Sequence, residues 1–293
     1  MVLKMKFCVI GPLSKDRIII TDIKHIEERP GGTAYYSSSV LSNLGFDITL
    51  LTKMSEKDFR LSESINSKKI LIPSEKTDVF INRYPSRNSN EREQELFSVI
   101  DPFTKDDVEA IKNFDFVHVG PLISSDISSE ILELLKKNNK TIVLDIQGMV
   151  RKIEGNKVVN QRLKDKKFLE NIDILKADAS EAAILTEEKD PEKAAKIIRS
   201  SGVKEILITF GSEGSLIYSG EKFYKIPAFR PVKSIDTTGC GDTYAAGYIA
   251  KRSESKNVEE CGRFAAMCAT MKIEQGVLRS KKEEVEKRLF LNS

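Results

Sequence analysis

The feature that most constrains this chain is a repeated alternation of two patterns. Short uninterrupted apolar runs such as ILITF and TIVLDI are separated by stretches with helical spacing of apolar residues, such as DISSEILELLKKN and DPEKAAKIIRSSG. A strand that is apolar throughout has to be covered on both faces, and helical crossovers between strands are what allow them to run parallel. The pattern predicts an α/β fold whose mostly parallel sheet carries helices on both sides. Asp190 followed by Pro191 predicts the start of one such helix, as side-chain cap and first-turn proline.

One segment breaks the alternation. Between residues 76 and 101, TDVFINRYP and EQELFSVI read as strands with no helix of their own, and the polar stretch SRNSNERE between them reads as a hairpin loop. Together with RIIITDI these strands are expected to form a small β lid, built from about 17–30 and 76–101, over one edge of the main sheet. No fixed-period repeat or low-complexity linker divides the chain, so residues 1–293 are expected to form a single domain with that lid.

Composition removes several function classes. Lys and Arg number 47 against 44 Asp and Glu, and the two signs are interleaved, as in KKEEVEKR, so no nucleic-acid or membrane partner is expected. No run approaches the roughly 18 apolar residues of a membrane span. Charges return at Lys15 and Asp16 directly after the first apolar run, so a secretory leader is not expected. Cys8, Cys240, Cys261 and Cys268 contain no CxxC pair and have only His25 and His118 to support them, which predicts reduced thiols in a cytoplasmic protein rather than a zinc site. Cys261 and Cys268 are expected in the core, and His118 is expected as a hydrogen-bonded strand histidine. A P-loop, a GxGxxG turn after the first strand and a GxSxG elbow are all absent from the sequence.

What carries chemistry is DTTGCGDTYAAG, residues 236–247. Glycines at the start of a helix let the backbone N–H groups of Gly239, Cys240 and Gly241 face an anion, which the helix dipole also favours. Asp242 stands in the same first turn, where amides and dipole are expected to keep its carboxylate ionised. A base beside an anion hole is what phosphoryl transfer to a hydroxyl requires. A glycine-capped helix packed closely on its neighbours would show the same GxGD.

DTTGCGDTYAAG resembles the signature DTTGAGDxFxxG of the ribokinase-like (PfkB) carbohydrate kinases, with Cys240 for Ala and Tyr244 for Phe. In the same order, PGGTAYYSSSVLSNLG resembles that family's N-terminal GG motif, KADASE its NxxE, and ITFGSEGSLI its nucleotide-binding strand and loop, while GPLSKD sets Asp16 five residues after Gly11. The resemblance implies a three-layer α/β/α ribokinase-like fold with a β lid, ATP as donor, Mg²⁺, and a sugar or polyol as acceptor. It implies Asp242 as catalytic base and Gly239, Cys240 and Gly241 as anion hole. Asp16, Gly31 and Gly32 would hold the acceptor, Thr209, Gly211 and Gly214 would line the ATP site, and Glu181 would orient the waters of Mg²⁺. Asp236 is implied as a ligand of a monovalent cation, K⁺ in those relatives that need one.

Two departures bear on substrate and metal. Asp178 stands where the family has the Asn of NxxE, which adds negative charge in the ATP site, and Tyr36 stands where the GG motif usually has Asn. LDIQGMVR, residues 144–151, resembles the corresponding strand end of the family's myo-inositol kinases, and strand C-termini line the ligand crevice of open α/β sheets. Gln147 and Arg151 are therefore expected to meet acceptor or phosphate, and the acceptor is expected to be myo-inositol. A ribose or fructose kinase, a nucleoside kinase and a non-catalytic sugar-binding protein are the alternatives. The lid strands are also expected to allow pairing with a second copy as a homodimer.

Overall fold

Strand β1 (Phe7–Ile10) explains how the sheet acquires two covered faces. Its side chains alternate, as those of any strand do, so Phe7 and Val9 enter one core while Cys8 and Ile10 enter another. The first core is closed by α1 (Thr33–Asn43), α6 (Cys240–Arg252), α7 (Val258–Gln275) and α8 (Lys282–Phe290). The second is closed by α2 (Lys105–Val108), α3 (Ser129–Asn138), α4 (Ala179–Thr186) and α5 (Pro191–Ser200). The result is a three-layer α/β/α fold. The structure, a computed structural model, describes residues 5–85, 93–233 and 236–292. The loop expected at SRNSNERE lies, apart from its last residue, outside the described residues.

The main sheet has nine described strands in the order β15 (Lys222–Ile226), β14 (Ser215–Ser219), β13 (Glu205–Thr209), β12 (Ile174–Asp178), β9 (Thr141–Asp145), β8 (Phe116–Val119), β1, β4 (Ile48–Met54) and β5 (Lys68–Pro73). From β13 to β5 all neighbours are parallel, and the β14–β15 hairpin adds two antiparallel strands at one edge. Helix α5 starts as expected, with Asp190 accepting from the N–H groups of Glu192 and Lys193 and Pro191 opening the helix.

A second sheet of six strands runs in the order β10 (Arg151–Glu154), β11 (Lys157–Asn160), β7 (Glu93–Ser98), β6 (Asp78–Tyr84), β2 (Ser14–Ile20) and β3 (His25–Gly31). The lid therefore draws on three segments rather than two. The hairpin at 151–160 was not expected there, because its four-residue strands are too short to show a period. The lid has a small core of its own, where Phe80 and Leu96 meet Leu122 and Ile123.

Two buried carboxyls, one on lid strand β6 and one in the turn after β8, influence each other. Asp78, at the start of β6, accepts from the Ile100 N–H at 2.8 Å, and Asp126 accepts from the N–H groups of Leu122 and Ile123 at 2.7 and 3.0 Å. Their other oxygens, Asp78 Oδ2 and Asp126 Oδ1, are buried with no hydrogen-bond partner among the described residues. Burial pushes Asp126 up to about 6, and burial together with the Asp126 charge pushes Asp78 well above the usual carboxylate range. Groups raised in the folded state stabilise when protonated, and that contribution is lost as pH rises from the ordinary carboxylate range through about 6. Asp78→Asn should therefore raise the thermal midpoint by about 2–5 °C at pH 8 and by much less at pH 4. An equal gain at both pH values in thermal melts would refute this account of the pair.

His118 corrects a sequence expectation. It is fully buried on β8, but neither ring nitrogen has a hydrogen-bond partner among the described residues. Burial lowers its pKa to about 4, so the ring is neutral. Cys261 and Cys268 are buried core thiols, as expected.

Candidate active site

The site forms where three chain turns converge on the start of α6. Gly239 has φ +81°, and a Cβ there would lie 2.5 Å from the ring carbons of Tyr36. Only glycine admits both the left-handed backbone and that contact. The following residues, Cys240, Gly241 and Asp242, form the first turn of α6, whose N–H groups have no intrahelical acceptors. Burial pushes the Cys240 thiol up to about 11, so the side chain is a neutral thiol, and its backbone N–H donates to the Thr237 carbonyl oxygen at 3.2 Å.

Asp242 is buried, and its carboxyl is pushed up to about 6. Burial is the first cause and the Asp145 carboxylate the second, outweighing the opposing charge of Lys176. This corrects the expectation from the helix start alone, which pointed to stabilisation of the charged form. A carboxylate raised to about 6 is still largely ionised at neutral pH, and it is a stronger base than an ordinary one.

Lys176 was missed. It lies on β12 with its side chain 5% exposed, its Nζ 3.0 Å from Asp145 Oδ2 and 3.8 Å from Glu181 Oε2. A Cβ on Gly241 would come within 2.9 Å of the same nitrogen, which puts the ammonium against the anion hole. Its signal in the sequence was a lysine inside the apolar run ILKA, since lysine is rarely buried unless paired. Asp145, fully buried, also accepts from the Gln147 N–H at 3.1 Å.

The acceptor candidates come from β1–β2 and α1. Asp16 is buried on β2 and accepts from the Ser14 hydroxyl at 2.7 Å. A Cβ at Gly31 would lie 2.2 Å from Asp16 Oδ2, so Gly31 makes room for that carboxylate and stands behind it. Gly32 is the N-cap of α1, and Tyr36, one turn further on, walls the cavity from the helix side. From the other side, the Gln147 amide oxygen, oriented by its hydrogen bonds, accepts from the Arg151 guanidinium at 3.0 Å. Arg151 also reaches Gln94 of β7 at 3.5 Å and comes within 3.9 Å of Glu181, so it joins the lid to the acidic side of the site.

Asp178 and Glu181 form a reciprocal cap at the start of α4: the Glu181 N–H donates to Asp178 Oδ1 at 2.7 Å and the Asp178 N–H donates to Glu181 Oε2 at 2.8 Å. Burial, the largest influence, raises Glu181 to about 7 despite Lys176. These hard oxygen donors fit Mg²⁺ held through waters. Among the described residues no group of three or more such side chains could hold a metal alone, and Mg²⁺ typically keeps several waters and substrate phosphates as ligands.

Two cavities meet at this point. The first, about 580 Å³, is lined by Asp16, Gly32, Tyr36, Gln147, Arg151, Asp178, Glu181, Gly239 and Asp242, with Phe80, Tyr84 and Gln94 from the lid and Lys176 from below. The lid residues were missed because strand alternation alone does not say which face a separate sheet turns to the ligand. The second, about 710 Å³, contains Gly214 and is walled by Phe229, Ala266, Ala269 and Ile273. Thr209, Gly211, Thr237, Cys240 and Gly241 line both. Asp236 lines neither. It is held instead by hydrogen bonds from Lys272 and the Thr238 N–H and by an ion pair with Arg29.

Residues 5–284 match the sequence profile of the pfkB family carbohydrate kinases. Ribokinase of Arabidopsis thaliana is 31% identical over 173 residues, which is 57% of this chain and 42% of that protein, so the match spans less than half of its length. Cytidine kinase of Thermococcus kodakarensis is 26% identical over 265 residues, covering 87% of this chain and 91% of that one. A solved structure described as a pyrophosphate-dependent kinase in the ribokinase family, complexed with a pyrophosphate analogue and myo-inositol, superposes with a TM-score of 0.84 at 28% identity, covering 96% of this chain and 99% of that chain. No helix among the described residues is long and apolar enough to cross a membrane.

Proposed function

This chain belongs to the pfkB family of carbohydrate kinases, and from that premise we propose that it transfers the γ-phosphoryl group of ATP to a hydroxyl of a cyclic polyol of the myo-inositol type. The observation that carries the reading is the meeting of two cavities at the first turn of α6, a polar one holding Asp242 and an apolar one beyond Gly211. The acceptor sits in the first, where Asp16, the Gly32 backbone, Gln147 and Arg151 give a ring of hydroxyls polar partners on several sides. Asp242 takes the proton from the attacking hydroxyl. The amides of Gly239, Cys240 and Gly241, with the Lys176 ammonium beside them, offset charge on the phosphoryl group as it moves.

Glu181 and Asp178 would hold Mg²⁺ through its waters, and that ion would supply neutralisation of the donor phosphates. The nucleoside occupies the second cavity, where the walls of Phe229, Ala266 and Ile273 suit a flat base and Arg230 adds a positive charge to the lining. Pyrophosphate is the second reading for the donor, favoured by the solved relative of that specificity. It has no apolar part and would leave that cavity unused. Strand β3, at the edge of the lid with Ile26 65% exposed, supports pairing with a second copy of the chain.

A single steady-state panel tests the reading, with ATP or pyrophosphate as donor and myo-inositol, ribose, fructose or cytidine as acceptor. A furanose would leave some buried polar groups of the site unpaired, at about 1–3 kcal/mol each, so kcat/KM for myo-inositol should exceed the others by roughly 5- to 150-fold. A preference for any other acceptor overturns the polyol assignment, and faster turnover with pyrophosphate overturns the nucleotide donor.

A further inference from the structure

Asp236 was expected to help hold a monovalent cation, and its surroundings do not fit one. Lys272, in the last turn of α7, is completely buried, and its Nζ lies 3.0 Å from the Asp236 carbonyl oxygen and 3.1 Å from Asp236 Oδ2. Arg29 of β3 approaches the same Oδ2 at 2.9 Å, and Oδ1 accepts from the Thr238 N–H at 3.0 Å. Every oxygen of Asp236 is therefore engaged by a protein donor, and two of those donors carry full positive charge. A K⁺ ion drawing on these oxygens would have to displace the ammonium and approach the guanidinium.

The ammonium also lies 5.3 Å from the centroid of the Tyr36 ring, the ring that packs on Gly239. One buried charge thus touches both the turn that leads into α6 and the aromatic wall behind it. That turn decides where the amides of Gly239, Cys240 and Gly241 point.

We propose that Lys272 takes the place of a monovalent cation: its ammonium holds the 236–239 turn, and phosphoryl transfer by this chain needs no K⁺. The proposal rests on the kinase reading above for its activity arm. It makes Lys272 a positioning residue that acts through Asp236 and the helix start, without touching substrate.

The test compares the full-length protein and Lys272→Met in KCl, NH₄Cl, LiCl and choline chloride at constant ionic strength. It measures kcat at saturating ATP, Mg²⁺ and acceptor, together with thermal midpoints. The unaltered protein should show the same kcat within about twofold in all four salts and no K⁺-specific rise in midpoint. Lys272→Met should lose at least about tenfold in kcat in choline chloride and recover most of it in KCl or NH₄Cl but not LiCl, with a midpoint raised selectively by the same two ions. A fivefold or greater K⁺ stimulation of the unaltered enzyme overturns the proposal. So does a variant that keeps full kcat in choline, or one whose loss no monovalent ion repairs. If the variant does not fold, the salt response of the unaltered protein decides alone. If no acceptor is phosphorylated, a K⁺-selective rise in its midpoint still overturns the cation substitution, which separates that failure from failure of the kinase reading.

Discussion

Asp242→Asn should leave donor and acceptor binding within a fewfold of the unaltered enzyme while lowering kcat by about 10²–10⁴, the range associated with removing a general base. The amide keeps the shape of the side chain, so the first turn of α6 and its amides are preserved, but it cannot take a proton. The loss should therefore fall on kcat rather than on KM. The unaltered enzyme should also lose kcat/KM as pH falls through about 6, where the raised Asp242 carboxyl becomes protonated. The Asn variant should lose the part of the acid limb that Asp242 contributes, leaving the part set by Glu181, which burial raises to about 7. Full activity in the variant would remove Asp242 from the chemistry.

Lys176→Met should have the other large effect, and on two observables at once. The side chain is 5% exposed and stands among Asp145, Glu181 and Asp242, so removing its charge strands carboxylates in a buried site. Breaking a buried pair by deleting one partner costs about 3–5 kcal/mol, and the thermal midpoint should fall accordingly. Because Lys176 favours the charged form of Asp242, its loss should also move the acid limb of kcat/KM to higher pH. Loss of a cation beside the anion hole should lower kcat by about 10². Adding Asp145→Asn should recover much of the midpoint without recovering kcat, which separates the structural from the chemical part. A double variant that regains full turnover would show that Lys176 serves only to neutralise Asp145.

Much of the framework was legible because it depends on patterns local to the chain. Uninterrupted apolar runs and amphipathic helices gave away the parallel sheet, and the Gly-rich turn before a small-residue helix marked the candidate anion hole and candidate base. Asp16, Gly32, Tyr36, Gln147, Arg151, Asp178, Glu181 and Asp242 were all named from motifs, and the fold brings them to one cavity. Lys176 and Asp145 were not named, since nothing in ILKAD or TIVLD says that two neighbouring strands will set an ammonium 3.0 Å from a carboxylate under Gly241. The hairpin at 151–160 escaped for a related reason, its place being decided by pairing with β7 rather than by its own composition.

The sequence by itself determined which backbone shapes were possible and which chemical groups were on offer, because side-chain period, glycine and capping residues act over a few bonds. Only the tertiary structure decided the charge state and company of those groups. Asp242 reads from its helix as an acid held in its charged form, yet it is raised to about 6 because burial and Asp145 lie around it. The family resemblance implies Asp236 as a cation ligand, yet Lys272, 36 positions later, fills that place. Electrostatic energy depends on distance through space and on exclusion of water, and neither is set until strands and helices far apart in the chain have packed together.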